Sequence, residues 1–180
     1  MNIGFIGTGL MGAPMIKNLL KSKHQISIFN RTISKAKKLK KYGAYLSYKI
    51  EELVKDKEII ITMLTDDKAV NDIIRSKTFL NNVCKETTVI DMSSTKPSTA
   101  LDNYKTLKKK GVYFLDAPVS GGTKGAESAS LAIMVGGEKK IYKKNLKVLK
   151  MLGIPNYVGK PSSGQAAKLA NQIIVGITIG

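Results

Sequence analysis

The sequence predicts an α/β fold built on a doubly wound, mostly parallel sheet, and three observations predict it. Short apolar runs recur along the chain, each is followed by a longer amphipathic stretch, and the alternation persists to about residue 153. Apolar runs with no polar face mark strands covered on both sides, and helices crossing between parallel strands provide that cover.

The elements follow in order. NIGFI (2–6) reads as a strand, LMGAPMIKNLLKSK (10–23) as an amphipathic helix and QISIF (25–29) as a second strand. A lysine-rich helix over 34–42, a short strand near Ala44, a helix over IEELVKD (50–56) and the strand EIIITML (58–64) come next. A further helix opens at Asp66, where Asp66 and Asp67 suit the positive end of the helix dipole. Then come strand TTVIDM (87–92), helix PSTALDNYKTLKKKG (97–111), strand VYFLDAPV (112–119), strand SLAIMVGG (130–137) and helix EKKIYKKNLKVLKMLG (138–153). No solenoid-spaced repeat or low-complexity linker interrupts them, so residues 1–160 are expected to form one domain.

At 180 residues and 43% hydrophobic, the chain is long enough for one sizeable core. Thirty basic against thirteen acidic residues give a formal net charge of +17, which admits anionic partners. The charge is spread, however, through KAKKLKK (35–41), KKK (108–110) and lysine pairs at 139–140 and 143–144. Those segments read as solvated helix faces. With few arginines and 6% aromatics, stacking and bidentate base readout are poorly supplied, so a nucleic-acid partner is not expected.

Cys84 is alone, which excludes an intrachain disulfide and fits a buried small hydrophobe in a reducing, cytoplasmic setting. The N-terminus has no basic region before its apolar run, so a signal peptide is not expected. Nor does any stretch approach the roughly 18–20 apolar residues of a membrane span. His24 precedes the second strand, away from the edge where ligands bind, and no histidine, cysteine and carboxylate cluster has metal-ligand spacing. Neither a catalytic histidine nor a metal is expected.

Gly7, Gly9 and Gly12 form GTGLMG directly after a predicted strand and at the start of a predicted helix. In that context the spacing describes a dinucleotide-binding turn. Gly7 permits the tight turn, Gly9 lets backbone approach a pyrophosphate and Gly12 allows close helix packing, while Thr8, Leu10 and Met11 complete the segment. A Rossmann-type domain is therefore expected. NAD sites of this type end the second strand on an acidic residue that binds the ribose 2′-hydroxyl. This chain instead reads FNRT (29–32), where Arg31 can pair with a 2′-phosphate through its planar fork, Asn30 and Thr32 can add neutral hydrogen bonds, and Lys35 adds charge one turn into the next helix. NADP is expected in preference to NAD.

Three more stretches, DMSSTKP (91–97), DAPVSGGTKGAE (116–127) and GQAAKLANQ (164–172), join GFIGTGLMGAPMIKNLL in a fixed order. With these motifs the chain resembles the β-hydroxyacid dehydrogenases, the group of 3-hydroxyisobutyrate dehydrogenase, tartronate semialdehyde reductase and glyoxylate/succinic semialdehyde reductase. The resemblance implies that Lys168 is the catalytic lysine and that Ser120, Gly121 and Gly122 hold the substrate carboxylate. It also implies that Met63, Leu64 and Thr95 line the cofactor's ribose and nicotinamide.

Chemistry supports these roles independently. Interconverting an alcohol and a carbonyl needs a hydride carrier and a group that moves the hydroxyl proton, and a lysine does the second when burial lowers its pKa. A Ser-Gly-Gly turn offers a hydroxyl and unhindered amides to a carboxylate. Lys168, Asn171 and Gln172 stand at i, i+3 and i+4, so on a helix they share a face and reach one substrate oxygen.

The chain departs from the family pattern in three places: Gln172 stands where asparagine is common, Thr65 where proline is common, and Ala129 where glycine is frequent. These bear on substrate identity. In the family the lysine-bearing helix continues into an all-helical domain, so residues 161–180 read as the start of an interdomain helix whose domain is absent here. For its apolar run IIVGITIG two readings stand: a truncated gene, or another chain covering the helix, including a second copy in a homo-oligomer. Two other readings compete with an active reductase: an NADP-binding module without turnover, and a basic polyanion-binding protein.

Overall fold

The apolar runs become strands because their residues are buried on both sides. In the computed structural model, which describes residues 1–179, β1 (Asn2–Ile6), β2 (Gln25–Phe29), β4 (Ile59–Thr62), β5 (Thr88–Asp91) and β6 (Tyr113–Asp116) lie parallel. Ile3, Phe5, Ile60, Ile61, Val89 and Ile90 have no exposed surface. Alternate residues feed two cores: Phe5, Ile61 and Ile90 face one, Ile60, Val89 and Phe114 the other. Among the described residues nine strands form one sheet in the order β3-β2-β1-β4-β5-β6-β8-β7, with β9 paired to β8; β3 is Tyr45–Leu46, β7 Val119–Ser120, β8 Leu131–Gly137 and β9 Gly153–Gly159. Only the pairings of β8 with β6 and β7 are antiparallel among the described residues, and β9 runs with β8, so the sheet is mostly parallel, as expected. Strand order reverses between β1 and β4, and a crevice outside the carboxyl ends of the strands opens at such a switch point.

The helices are α1 (Gly12–Leu20), α2 (Ile33–Lys37), α3 (Ile50–Val54), α4 (Asp67–Ile74), α5 (Lys77–Asn82), α6 (Pro97–Lys108), α7 (Gly122–Glu127), α8 (Lys139–Lys150) and α9 (Ser163–Ile179). Asp66 caps α4 by accepting from Ala69 N at 2.8 Å. The expected helix over 34–42 breaks after α2 into a 3-10 turn at Lys40–Tyr42, closed by Gly43 at φ +98. A second helix, α5, follows α4 where none was read, started by Ser76 Oγ accepting from Phe79 N at 3.1 Å.

Two other boundaries differ for a backbone reason. The strand expected over 112–119 divides at Ala117–Pro118, because proline has no N–H to donate to a ladder. The helix expected to reach residue 153 stops at Lys150, and GIPNYVG becomes β9, an edge strand that tolerates Pro155 because one side is unpaired. Gly153 is required where β9 starts, since a Cβ there would lie 2.0 Å from Leu131 O.

Cys84 is exposed, which corrects its assignment to the core; it lies past the C-terminus of α5 on a segment that faces water. No helix of the described residues is long and apolar enough to cross a membrane. Of the segment expected to start an interdomain helix, residues up to Ile179 belong to α9 and Gly180 lies outside the described residues.

Candidate active site

β1 delivers the glycine turn to the carboxyl edge of the sheet. Gly7 donates to Phe29 O at 3.0 Å and has φ +104; a Cβ there would lie 2.2 Å from Met63 O. Only glycine allows the turn to press against the end of β4. A Cβ on Gly12 would lie 2.0 Å from Gly7 O, so α1 begins in contact with the turn itself. Gly9, in contrast, is exposed and faces open space. Beside it, Met11 makes no side-chain cap to α1 and the first turn of that helix carries no acid. Bare backbone and an uncapped helix N-terminus together suit a phosphate. Thr8 is buried and its Oγ1 has no partner among the described residues, and Leu10 is 84% exposed. A dinucleotide's pyrophosphate fits this turn.

Asn30 is spent inside the protein. Its Oδ1 accepts from Thr8 N and its Nδ2 donates to Thr32 O, both at 2.9 Å, so it clamps the turn to the end of β2. Arg31, Thr32 and Lys35 are exposed beyond it. These residues, with Gly7, Gly9, Met63 and Leu64, border a cavity of about 300 Å³ whose apolar wall includes Phe29 and Ile73. Asp72, also at its edge, is engaged by Lys68. Thr8, Gly9, Leu10 and Lys35 also border a neighbouring cavity of about 440 Å³, with Lys17, Lys38 and Lys41. An apolar slot with cations at its mouth matches a planar base carrying a phosphorylated sugar.

Next along the edge, Thr62, Asp91 and Asp116 are register partners on β4, β5 and β6. Asp91 Oδ1 accepts from Thr62 Oγ1 (2.8 Å) and Ser93 N (3.1 Å), while its Oδ2 is buried with no partner among the described residues. Burial pushes its carboxyl up to about 6. Asp116 is also pushed up to about 6 by burial, against the pull of the Gln165 and Ser162 amides. Ser93 Oγ accepts from Leu64 N at 2.9 Å and so ties the segments after β4 and β5 together. Thr95 N donates to the Gln165 side chain at 3.0 Å, and Thr95 Oγ1 is buried without a partner.

On α9, Lys168 is half-buried and its Nζ donates to Gln172 Oε1 at 2.9 Å; burial lowers its pKa from the ordinary lysine value. The longer glutamine side chain therefore reaches the amine. Asn171 Nδ2 is buried with no partner among the described residues. Ser120 pairs with Ala132 at the end of β7, and Gly121 (φ +129) and Gly122 (φ +59) turn the chain into α7. The expected loop at Ser120–Gly122 is thus a strand end and a helix start. Neither group lines the two cavities above.

Asp91, Asp116, Ser93 and Gln165 stood in the quoted motifs without a role. The signal was present in the sequence: TTVIDM and VYFLD each carry a carboxylate at the end of an otherwise buried strand, and buried carboxylates are rare without partners.

The fold and the glycine turn define an NAD(P)-binding α/β domain. Residues 2–160 match the family described as the NAD binding domain of 6-phosphogluconate dehydrogenase, and the chain belongs to that family. It is 38% identical over 179 residues to the mitochondrial 3-hydroxyisobutyrate dehydrogenase of Drosophila melanogaster, covering 99% of this chain and 55% of that protein. It superposes on 3-hydroxyisobutyrate dehydrogenase of Mycobacterium tuberculosis, solved with L-serine, with a TM-score of 0.93 and 32% identity, covering 97% of this chain and 60% of that one. Psf3, solved with NADP+ and 2-OPP, gives a TM-score of 0.90 at 28% identity over 94% of this chain and 61% of that one. The chain thus spans little more than half the length of these relatives. The findings bear out the resemblance and the fold expected from the motifs.

Proposed function

We propose that this chain is the cofactor-binding part of an NADP-dependent oxidoreductase that interconverts a short 3-hydroxy or 2-hydroxy carboxylic acid and its semialdehyde or oxo acid. The observation that carries the reading is Lys168, half-buried with a lowered pKa, on a helix bonded through Gln165 to the segment after β5. Bound NADP supplies or accepts the hydride. Lys168 gives the proton to the carbonyl oxygen in reduction and takes it back in oxidation. Gln172 Oε1 holds the amine in place, and the unpartnered Asn171 Nδ2 is a donor for the same substrate oxygen. The Ser120 hydroxyl and the open backbone at Gly121 and Gly122 receive the carboxylate.

NADP in preference to NAD rests on the absence of a carboxylate at the end of β2, with Arg31 and Lys35 there instead. The domain reading is part of the proposal: residues 1–160 hold the cofactor and 161–180 begin an interdomain helix. Leu169, Ile173 and Ile177 are 56%, 57% and 75% exposed, an apolar face suited to an all-helical domain or to a second copy. A reducing, cytoplasmic setting fits the free, exposed Cys84.

The test is NADPH oxidation by the purified chain with glyoxylate, succinic semialdehyde, tartronate semialdehyde and methylmalonate semialdehyde, beside Lys168→Ala. The expected result is turnover that falls by about 10²-fold or more in the variant with NADPH affinity unchanged. Equal turnover in both proteins overturns the role of Lys168. Tight NADPH binding without turnover supports the binding module instead.

A further inference from the structure

We propose that Asp116 and Gln165 are a pair of positioning residues that fix the seat and rotation of α9, and so set where Lys168 Nζ stands and how much of it water reaches. The inference rests on the reading of Lys168 as the proton-transfer group, and its test separates the two. Asp116 ends β6 and is fully buried, yet no cation pairs with it among the described residues. Its two oxygens are taken by the start of α9: Oδ1 accepts from Ser162 N at 2.8 Å and Oδ2 from Gln165 N at 2.9 Å. The sheet therefore caps the helix. A local cap was available in Ser162 or Ser163, but Ser162 is held at φ +78, a conformation costly for a residue with a Cβ, with its amide turned to the carboxylate. Unpaired buried charge is costly, and the free amides and positive dipole end of a helix offset that cost.

Two glycines make the seat possible. A Cβ on Gly164 would lie 2.4 Å from Met134 O and 2.8 Å from Asp116 Oδ2, and one on Gly136 would lie 2.6 Å from Asp116 Oδ1 and 2.7 Å from Gly164 N. Gln165 then sets the rotation. It is 1% exposed; its Nε2 donates to Ser93 O at 2.7 Å and its Oε1 accepts from Thr95 N at 3.0 Å. Both ends of one side chain are thus bound to the segment after β5, whose Ser93 also holds Leu64. Residues i and i+3 share a helix face, so a rotation locked at Gln165 is locked at Lys168. Neither Asp116 nor Gln165 needs to touch substrate to matter.

The experiment is competitive acetylation of the purified chain across pH, with the rate at Lys168 read by peptide mass spectrometry, in the wild type, Asp116→Asn and Gln165→Met. This readout needs no turnover. The expected result is a Lys168 titration below that of the surface lysines in the wild type, moving toward the ordinary lysine value of 10.5 in both variants. Under the same conditions kcat falls by about a hundredfold while NADPH affinity holds, because a misplacement of about 1 Å costs that much. A merely structural role would lower the melting temperature and leave the Lys168 titration in place. That outcome in folded variants overturns the inference, whatever Lys168 does. Gln165→Met keeps length and removes only the two hydrogen bonds, so it decides the matter alone if Asp116→Asn does not fold. Unchanged turnover in Lys168→Ala defeats the functional reading and leaves the labelling result to judge the positioning.

Discussion

At the scale of single residues, the chemistry was legible wherever a residue type has few uses. Glycines at a strand-to-helix turn marked a dinucleotide-binding domain, and Arg31, proposed to pair with a 2′-phosphate, lines the cavity at the end of β2. Replacing Arg31 by alanine is expected to weaken NADPH about tenfold to a hundredfold while NADH changes little, since charge-assisted bonds to a phosphate are worth about 1.5–3 kcal/mol. Titration of cofactor fluorescence with each nucleotide checks this, and equal losses for both would remove Arg31 from the 2′-phosphate. Asn30 shows where residue identity is insufficient. Its amide suits a ligand or a clamp equally well, and only geometry shows both ends engaged by Thr8 and Thr32. Asp116 and Gln165 were hidden for a similar reason: their partners are 46 to 72 residues away in sequence.

At the scale of elements, the long apolar strands and amphipathic helices were legible because burial on two faces or one leaves a periodic trace. What escaped was short or locally ambiguous. β9 alternates half-buried and exposed positions after the buried Gly153, but its Pro155 and Asn156 carry turn chemistry, and only pairing with β8 makes it a strand. α7 is six residues long and starts at Gly122 with Gly121 as its N-cap, so no propensity marks it. Its end bears a prediction. Ala129 follows α7 at φ +55, in the left-handed region where a Cβ is strained and glycine is not. Ala129→Gly is expected to stabilise the chain by about 0.5–1 kcal/mol, read as a higher urea midpoint at unchanged slope. A lower midpoint would mean that the methyl group packs better than the strain costs.

At the scale of the whole molecule, stability should respond to pH through the two aspartates at the carboxyl edge. Asp91 and Asp116 are both pushed up to about 6 from an ordinary 3.8, so the folded chain holds protons that the unfolded chain has released. Falling pH through about 6 therefore adds stability from these groups until the unfolded carboxylates also protonate near 3.8. His24, lowered by burial, works in the other direction over part of this range. The expected outcome is a higher urea midpoint at pH 5 than at pH 7, corresponding to about 1.4 kcal/mol of stability per aspartate. In Asp91→Asn part of that rise disappears and the midpoint at pH 7 holds or increases. A variant with an unchanged pH slope would show that Asp91 does not titrate in this window.

The seat of α9 also has a mechanical meaning. The helix is gripped at Gly164 and Gln165, both buried, while Leu169, Ile173 and Ile177 further along are exposed. At a rise of about 1.5 Å per residue it is a lever roughly 25 Å long, and Lys168 stands only roughly 5 Å from the pivot. A swing of about 10° about that pivot moves the far end by roughly 4 Å and the lysine by roughly 1 Å. When the helix tilts on this seat its outer turns therefore sweep about four times as far as Lys168 does.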